Sequence, residues 1–108
     1  LTNGTNMAAT VAHEGRYIRV GNVVHCAGRL EADPTAAGQA VVGISLPIAS
    51  NFTAADQLSG CGAAIAVAGF SAGIYADTTN DRASMEWVAV DTASRSLDFT
   101  FSYRIITP

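Results

Sequence analysis

The strongest constraint in this sequence is the alternation of large and polar side chains within residues 95–106. Successive side chains of a β-strand point to opposite faces of the sheet, so this alternation predicts one strand with a single core-facing side. A slip of the pairing by one residue would bury Asp98 and Arg104, and the register should therefore be firmly fixed. The predicted core face consists of Leu97, Phe99, Phe101, Tyr103 and Ile105.

The rest of the chain shows shorter segments of the same kind and only weak helical periodicity. Gly21-Asn22 predicts a two-residue hairpin turn between strands at 16–20 and 23–32. The other predicted strands lie at 7–12, 39–46, 61–68, 70–77 and 83–90. Seven or eight short alternating strands are typical of an antiparallel β-sandwich or jelly roll, and this all-β architecture is the predicted fold class.

The length of 108 residues fits a single domain. We expect residues 1–12 to form a linker or a first short strand, and residues 13–108 to form one β-sandwich domain. Because the chain opens on Leu1 rather than Met, we also expect it to be either a piece of a longer protein or a chain with the remnant of a tag.

Charge and composition exclude several classes of protein. Charged residues make up 14% of the chain, and the net charge is −3 with six Arg and no Lys. This balance argues against a nucleic-acid-binding surface and against intrinsic disorder. No apolar run approaches the ~20 residues of a membrane span. Many of the hydrophobic residues are Ala, so the core is thin, and the low charge suits a surface that packs against identical chains.

The sequence contains no motif that predicts catalysis, a cofactor or a metal site. His13 and Glu14 could act with Asp91 as an acid–base pair only if the fold joined them, and a solvated loop is the simpler interpretation. The oxygen-rich run at 77–81 could hold Ca²⁺, but it is more typical of a turn whose side chains bond to backbone amides. Trp87 is predicted to lie in the core rather than on a sugar-stacking platform. We therefore predict a non-enzymatic protein without a cofactor.

The two cysteines, Cys26 and Cys61, have no spacing typical of a metal site or a redox motif. We predict two buried free thiols that pack as small hydrophobic side chains. One disulfide between them is the alternative.

Sequence blocks spread along the chain carry a family resemblance. They are GRYIRVGNVV at 15–24 followed by Gly28-Arg29, PTAAG at 34–38, LPIASNF at 46–52, GIYADTTNDRA at 73–83 and FTFSYRII at 99–106. Together they resemble the C-terminal β-sandwich, jelly-roll-like knob domain of tail-fibre or virion structural proteins of tailed phages and prophages. The resemblance covers residues 14–106, and it implies a homotrimeric knob on the tail or capsid surface of the virion.

The function that this resemblance implies is a fibre or spike knob that mediates attachment to the host surface and trimerisation. Its partners would be identical chains and a host cell-surface glycan or protein receptor, or a capsid protein. A capsid decoration or head-fibre protein, and a carbohydrate-binding module of a larger enzyme, are the alternatives.

Two sets of candidate site residues follow. The candidate receptor-binding residues are Tyr17, Tyr75, Asn80 and Asp81. The two tyrosines lie near strand ends or turns, where aromatic rings can stack on sugars. The candidate subunit-interface residues are His25, Arg29, Arg82 and Arg104. The first two share the polar face of one strand, the third follows the polar turn, and the last lies on the polar face of the final strand, where a symmetry mate could pack.

Overall fold

The chain folds into one antiparallel sheet of eight strands that curls until it nearly closes. The structure is a computed structural model and describes residues 1–64, 71–89 and 93–106. Its strands are β1 (Thr2–Asn3), β2 (Ala9–Val20), β3 (Val23–Asp33), β4 (Gly38–Ile44), β5 (Leu58–Ala64), β6 (Ser71–Asp77), β7 (Arg82–Ala89) and β8 (Arg95–Arg104). The order across the sheet is β1-β4-β7-β6-β5-β8-β3-β2. The all-β, antiparallel prediction is confirmed.

Regular helix is confined, within the described ranges, to one 3₁₀ turn at Ala55–Gln57. That turn lies in the connection between β4 and β5. No helix in the same ranges is long and apolar enough to cross a membrane.

The alternation over residues 95–106 forms β8 with the predicted register. Leu97, Phe101 and Tyr103 are buried, and Phe99 and Ile105 pack against the core from partly buried positions. Asp98 and Arg104 are exposed, as the register argument requires. β8 lies between β3 and β5 and pairs with both along most of its length, so its apolar face runs through the middle of the core.

The first hairpin forms around the predicted turn, but its first strand is longer than predicted. Gly21 has φ +61°, and Val20 pairs with Val23 across the turn. The segments predicted at 7–12 and 16–20 are one strand, β2, because a register shift between Ala12 and Gly15 accommodates residues 13 and 14 as a bulge. The domain boundary predicted between residues 12 and 13 therefore falls inside a strand.

β4 and β7 provide much of the remaining core. Val42 and Met85 are fully buried, and Trp87 is 4% exposed, which confirms its predicted place in the core. β4 ends at Ile44 rather than at residue 46, ahead of Pro47, which lacks the N–H that would extend the ladder. The strand predicted at 61–68 begins at Leu58, and its residues after position 64 lie outside the described part of the chain.

The two cysteines are both free thiols, but only Cys26 is buried. Cys26 pairs with Phe101 and faces the core, whereas Cys61 pairs with Thr100 and faces outward. The prediction of a buried Cys61 is wrong because the side-chain alternation of β5 places Leu58, Gly60 and Gly62 on the inner face. Since the two thiols lie on opposite faces of the sheet, a disulfide between them would require the backbone to move.

We expect alkylation to distinguish the two thiols. Burial raises the pKa of Cys26 to about 11, so that thiol is shielded and protonated at neutral pH. Treatment of the native protein with iodoacetamide should add one label, and treatment in denaturant should add two, as measured by intact mass. A Cys61→Ser variant should take none in the native state. Native labelling of that variant would contradict the placement of Cys26.

Candidate interaction surface

β2 is the most exposed strand of the chain. Every residue of it except Thr10 is exposed. It is last in the sheet order and pairs only with β3, so among the described residues its second backbone edge carries no ladder. An edge strand of this kind presents a row of unpaired N–H and C=O groups that another chain can use.

The outer side of the first hairpin carries exposed apolar side chains. Ile18 is 61% exposed, Val20 64% and Val23 39%. Residues directly opposite each other in a ladder project from the same face, so the pairs Val20–Val23 and Ile18–His25 place these groups together. The pairing of Val23 with Arg104 extends the surface onto β8. We call this surface the outer patch, and it consists of Arg16, Ile18, Val20, Val23, His25 and Arg104.

The charges of the outer patch are unpaired. Within the described residues, the side chains of Arg16, His25 and Arg104 have no hydrogen-bond or ion-pair partner. Arg19, on the other face of β2, differs because its Nε donates to the Gly21 carbonyl at 2.8 Å. The outer patch therefore combines apolar area with two guanidinium groups that are free to bind an acidic partner.

The inner side of β2 lines an apolar groove of about 250 Å³. At the start of β2 the two ends of the sheet approach each other, and Thr10 Oγ1 donates to Asn3 Oδ1 of β1 at 2.6 Å. Near the other end of β2, the groove separates that strand from the end of β4 and the segment that follows it. The groove is lined there by Gly15, Arg16, Tyr17, Cys26, Ala27, Ile44, Ser45, Leu46, Pro47, Phe99 and Phe101.

The structure does not bring the four candidate receptor residues together. Tyr17 is on β2 and Tyr75 is on β6, with β3, β8 and β5 between them. Asn80 and Asp81 lie in the turn between β6 and β7, but only Asn80 is exposed. The Asp81 carboxylate accepts the backbone N–H groups of Ser50 and Phe52, each at 3.0 Å, and so holds a neighbouring loop.

The four candidate interface residues fall into two groups. His25 and Arg104 belong to the outer patch. Arg29 Nε donates to Asp98 Oδ1 at 2.7 Å in an exposed ion pair farther along β3. Arg82 Nε donates to Asp77 at 3.0 Å, beside Gly43, where a Cβ would lie 2.7 Å from the same nitrogen. Arg82 therefore orders its own hairpin.

The oxygen-rich run at 77–81 forms a turn organised by one carboxylate. Asp77 accepts the backbone N–H groups of Thr79 and Asn80 at 3.1 and 3.2 Å, and its Oδ2 accepts Asn80 Nδ2 and Arg82 Nε, each at 3.0 Å. The bond from the Asn80 side chain, with those from the two amides and Arg82, holds the pKa of Asp77 below its usual value despite partial burial. This is the turn interpretation of the run, in which the Asp77 carboxylate accepts hydrogen bonds from its own turn.

The residues considered for acid–base chemistry are not assembled into a site. His13 and Glu14 occupy the bulge in β2, and His13 Nε2 lies 3.5 Å from Glu31. Asp91 lies outside the described residues. Nowhere in the described ranges do three His, Cys, Asp or Glu side chains cluster closely enough to hold a metal ion.

The exposed apolar members of the outer patch were not among the candidate residues. Their sequence signal is weak, because the alternation of Ile18 and Val20 with Arg19 does not show which face of the strand meets the core. They are exposed because they lie on the outer face of the sheet, in the strand that is last in the sheet order. Comparisons with protein-family models, with curated proteins and with solved structures each found no match.

Proposed function

We propose that this chain is a non-enzymatic knob domain of a phage fibre or spike, in which three identical copies associate through the outer patch and attach the virion to a host surface. In this proposal the curled sheet acts as a jelly-roll-like sandwich, with β1, β4, β7 and β6 in one layer and β5, β8, β3 and β2 in the other. The sequence blocks that resemble phage knob domains support the assignment to a virion.

The observation that carries the proposal is the exposed second half of β2. The bulge at residues 13 and 14 separates the two halves of β2, each of which pairs, among the described residues, with β3 alone. Ile18 and Val20 lie beyond that bulge, on an unpaired edge, without the Pro or Lys that often protect such edges. Contiguous apolar area of this kind typically marks an interface. Burial of one such side chain contributes about 1.5–3 kcal/mol.

The proposed assembly also leaves a surface for a receptor. The turn between β6 and β7 exposes Thr78, Thr79 and Asn80, and it belongs to a hairpin on the side of the sheet away from β2. In a trimer built on the outer patch, three copies of this turn would be displayed together. A host glycan or a host protein would be the bound partner.

Light scattering coupled to size exclusion tests the assembly. We expect a mass of three times the 11.1 kDa chain at micromolar concentration. An Ile18→Glu variant should weaken association at least tenfold, because about 1.4 kcal/mol corresponds to a factor of ten. Thr79→Glu, a charge change on the exposed turn, is the matched control and should remain trimeric. A monomeric wild-type protein would overturn the proposed self-association.

A glycan array of host-envelope polysaccharides tests the attachment role separately. We expect the trimer to bind at least one array component and to lose that binding on trimer dissociation, since three weak sites act together. A trimer that binds neither host glycans nor host cells would support the capsid-decoration alternative instead.

A further inference from the structure

A second exposed patch lies across the sheet from β2 and carries a carboxylate. Val88 on β7 is 69% exposed and Tyr75 on β6 is 36% exposed. The ladder pairs Tyr75 with Ser84 and Gln39 with Val88, and alternation along β7 places Glu86 on that same outer face. We call this surface the acidic patch, and it consists of Gln39, Tyr75, Glu86 and Val88.

Neighbouring side chains hold the carboxylate of the acidic patch in position. Glu86 Oε1 accepts the Tyr75 hydroxyl at 2.7 Å and Gln39 Nε2 at 3.3 Å. Its second oxygen, Oε2, has no partner in the part of the chain that the structure describes. One oxygen is therefore oriented and available to accept a hydrogen bond from a cation.

The two patches match in both charge and spacing. On β2, Arg16 and Ile18 are two residues apart on the outer face, and on β7, Glu86 and Val88 are also two residues apart on the outer face. Two residues span about 6.6 Å along a strand. A contact that joins the guanidinium to the carboxylate therefore also places the isoleucine against the valine. Each strand provides one charged and one apolar member.

The two patches cannot meet within one chain. β6, β5, β8 and β3 separate β7 from β2 in one direction around the curled sheet, and β4 and β1 separate them in the other. The outer faces of the two strands point in different directions. A second copy of the chain is therefore the partner that can satisfy both surfaces.

We propose that the outer patch of one copy docks onto the acidic patch of the next, with Arg16 donating to the free oxygen of Glu86 and Ile18 packing on Val88. This inference rests on the proposed self-association and specifies its geometry. Each copy uses two different surfaces, so the contact is heterologous and generates a ring when its rotation closes. A trimer is one ring of this kind, whereas a dimer related by a two-fold axis would need both patches to form one self-complementary surface.

A charge exchange tests this contact. Arg16→Glu and Glu86→Arg should each raise the dissociation constant of the trimer at least tenfold in sedimentation equilibrium, because each places like charges together. The double variant should return to within about threefold of the wild-type value, since the pair is restored in reverse order. Asp56→Arg, an exposed charge change on the 3₁₀ turn outside both patches, is the control and should have no effect.

Circular dichroism on every variant separates misfolding from dissociation. If Glu86→Arg loses the hydrogen bonds to Tyr75 and Gln39 and fails to fold, Arg16→Gln and Glu86→Gln replace the two charge reversals. The effects of these two substitutions on the free energy of trimer dissociation should then be less than additive. If both single variants fold and remain trimeric like the wild type, this contact is overturned and the proposed self-association stays intact. Folded single variants that dissociate without recovery in the double variant would also overturn it. A monomeric wild-type chain would overturn the proposed function itself.

Discussion

Replacement of Gly60 by alanine is expected to lower the free energy of unfolding by roughly 3 kcal/mol, since overpacking against a backbone that cannot move is costly. A Cβ at this position would lie 2.2 Å from the Thr100 carbonyl oxygen and 2.6 Å from the Phe101 Cα. Both atoms belong to β8, which pairs with β5 here. The substitution therefore forces apart two strands that share the central ladder.

Two other glycines provide matched controls for this prediction. A Cβ at Gly62 would meet the Met85 Cε at 2.5 Å, and that methyl group is the flexible end of a side chain. A Cβ at Gly73, on the neighbouring strand β6, would meet nothing within 4 Å. Urea unfolding should give the order Gly60→Ala, Gly62→Ala, Gly73→Ala from most to least destabilising. Equal midpoints for the first and last variants would show that β5 and β8 are not as close as described.

Replacement of Asp81 by alanine is expected to cost roughly 3 kcal/mol, from two hydrogen bonds to a charged acceptor and a left-handed backbone that alanine disfavours. Asp81 has φ +52°. Its carboxylate holds the amides on either side of Asn51, and the same loop contains the buried Phe52, whose ring meets Tyr103 edge-on at 5.7 Å. Loss of the carboxylate therefore releases an aromatic contact of the core.

Asp81→Asn separates the two causes, because asparagine tolerates the left-handed backbone and keeps one acceptor oxygen. Its cost should be less than half that of the alanine variant in thermal unfolding at pH 7. Equal costs for the two substitutions would indicate that the carboxylate charge, rather than the backbone conformation, dominates.

The stabilisation by Asp81 should also depend on pH. Burial raises the pKa of this carboxyl, but hydrogen bonds from the amides of Asn51, Phe52 and Ser50 lower it by more than burial raises it. The pKa in the folded protein is therefore below its usual value. A group whose pKa is lower in the folded state stabilises the protein above its unfolded pKa, and that stabilisation is lost as the pH falls through the folded pKa. The difference in stability between wild type and Asp81→Asn should be constant above about pH 5 and shrink below about pH 4. A difference that stays constant down to pH 2 would contradict this assignment.

The elements that could be predicted from sequence are those whose pattern is local. The alternation in β8 identified Leu97, Phe101 and Tyr103 as core residues, and Gly21-Asn22 identified the first turn. In both cases the physical cause, side-chain alternation or a positive φ, acts within a few residues. These elements established the all-β class.

The features that could not be predicted depend on pairing between distant segments. The exposure of Ile18 follows from its place on the outer face of β2, the last strand in the sheet order, and the role of Asp81 follows from a loop some thirty residues earlier in the chain. Cys61 was misplaced because the small residues of β5 show no alternation of large and polar side chains from which its core face could be predicted. Of the candidate interface residues, His25 and Arg104 lie in the outer patch, whereas Arg29 and Arg82 pair within their own chain, and a contact of any of them with another copy stays a prediction.

The position of β8 also has a consequence for how the chain folds. β8 is the last of the described strands to be synthesised, yet it alone joins β3 to β5 in the sheet. Before residues 95–104 leave the ribosome, the first hairpin and the sheet that runs from β4 to β5 share no hydrogen-bond ladder. The pairings of β8 with β3 and with β5 each join segments that are far apart in the sequence. Closing such long loops slows folding. Translation of the final strand is therefore the step that commits the nascent chain to its native topology, and the nascent chain exposes its apolar surface until then.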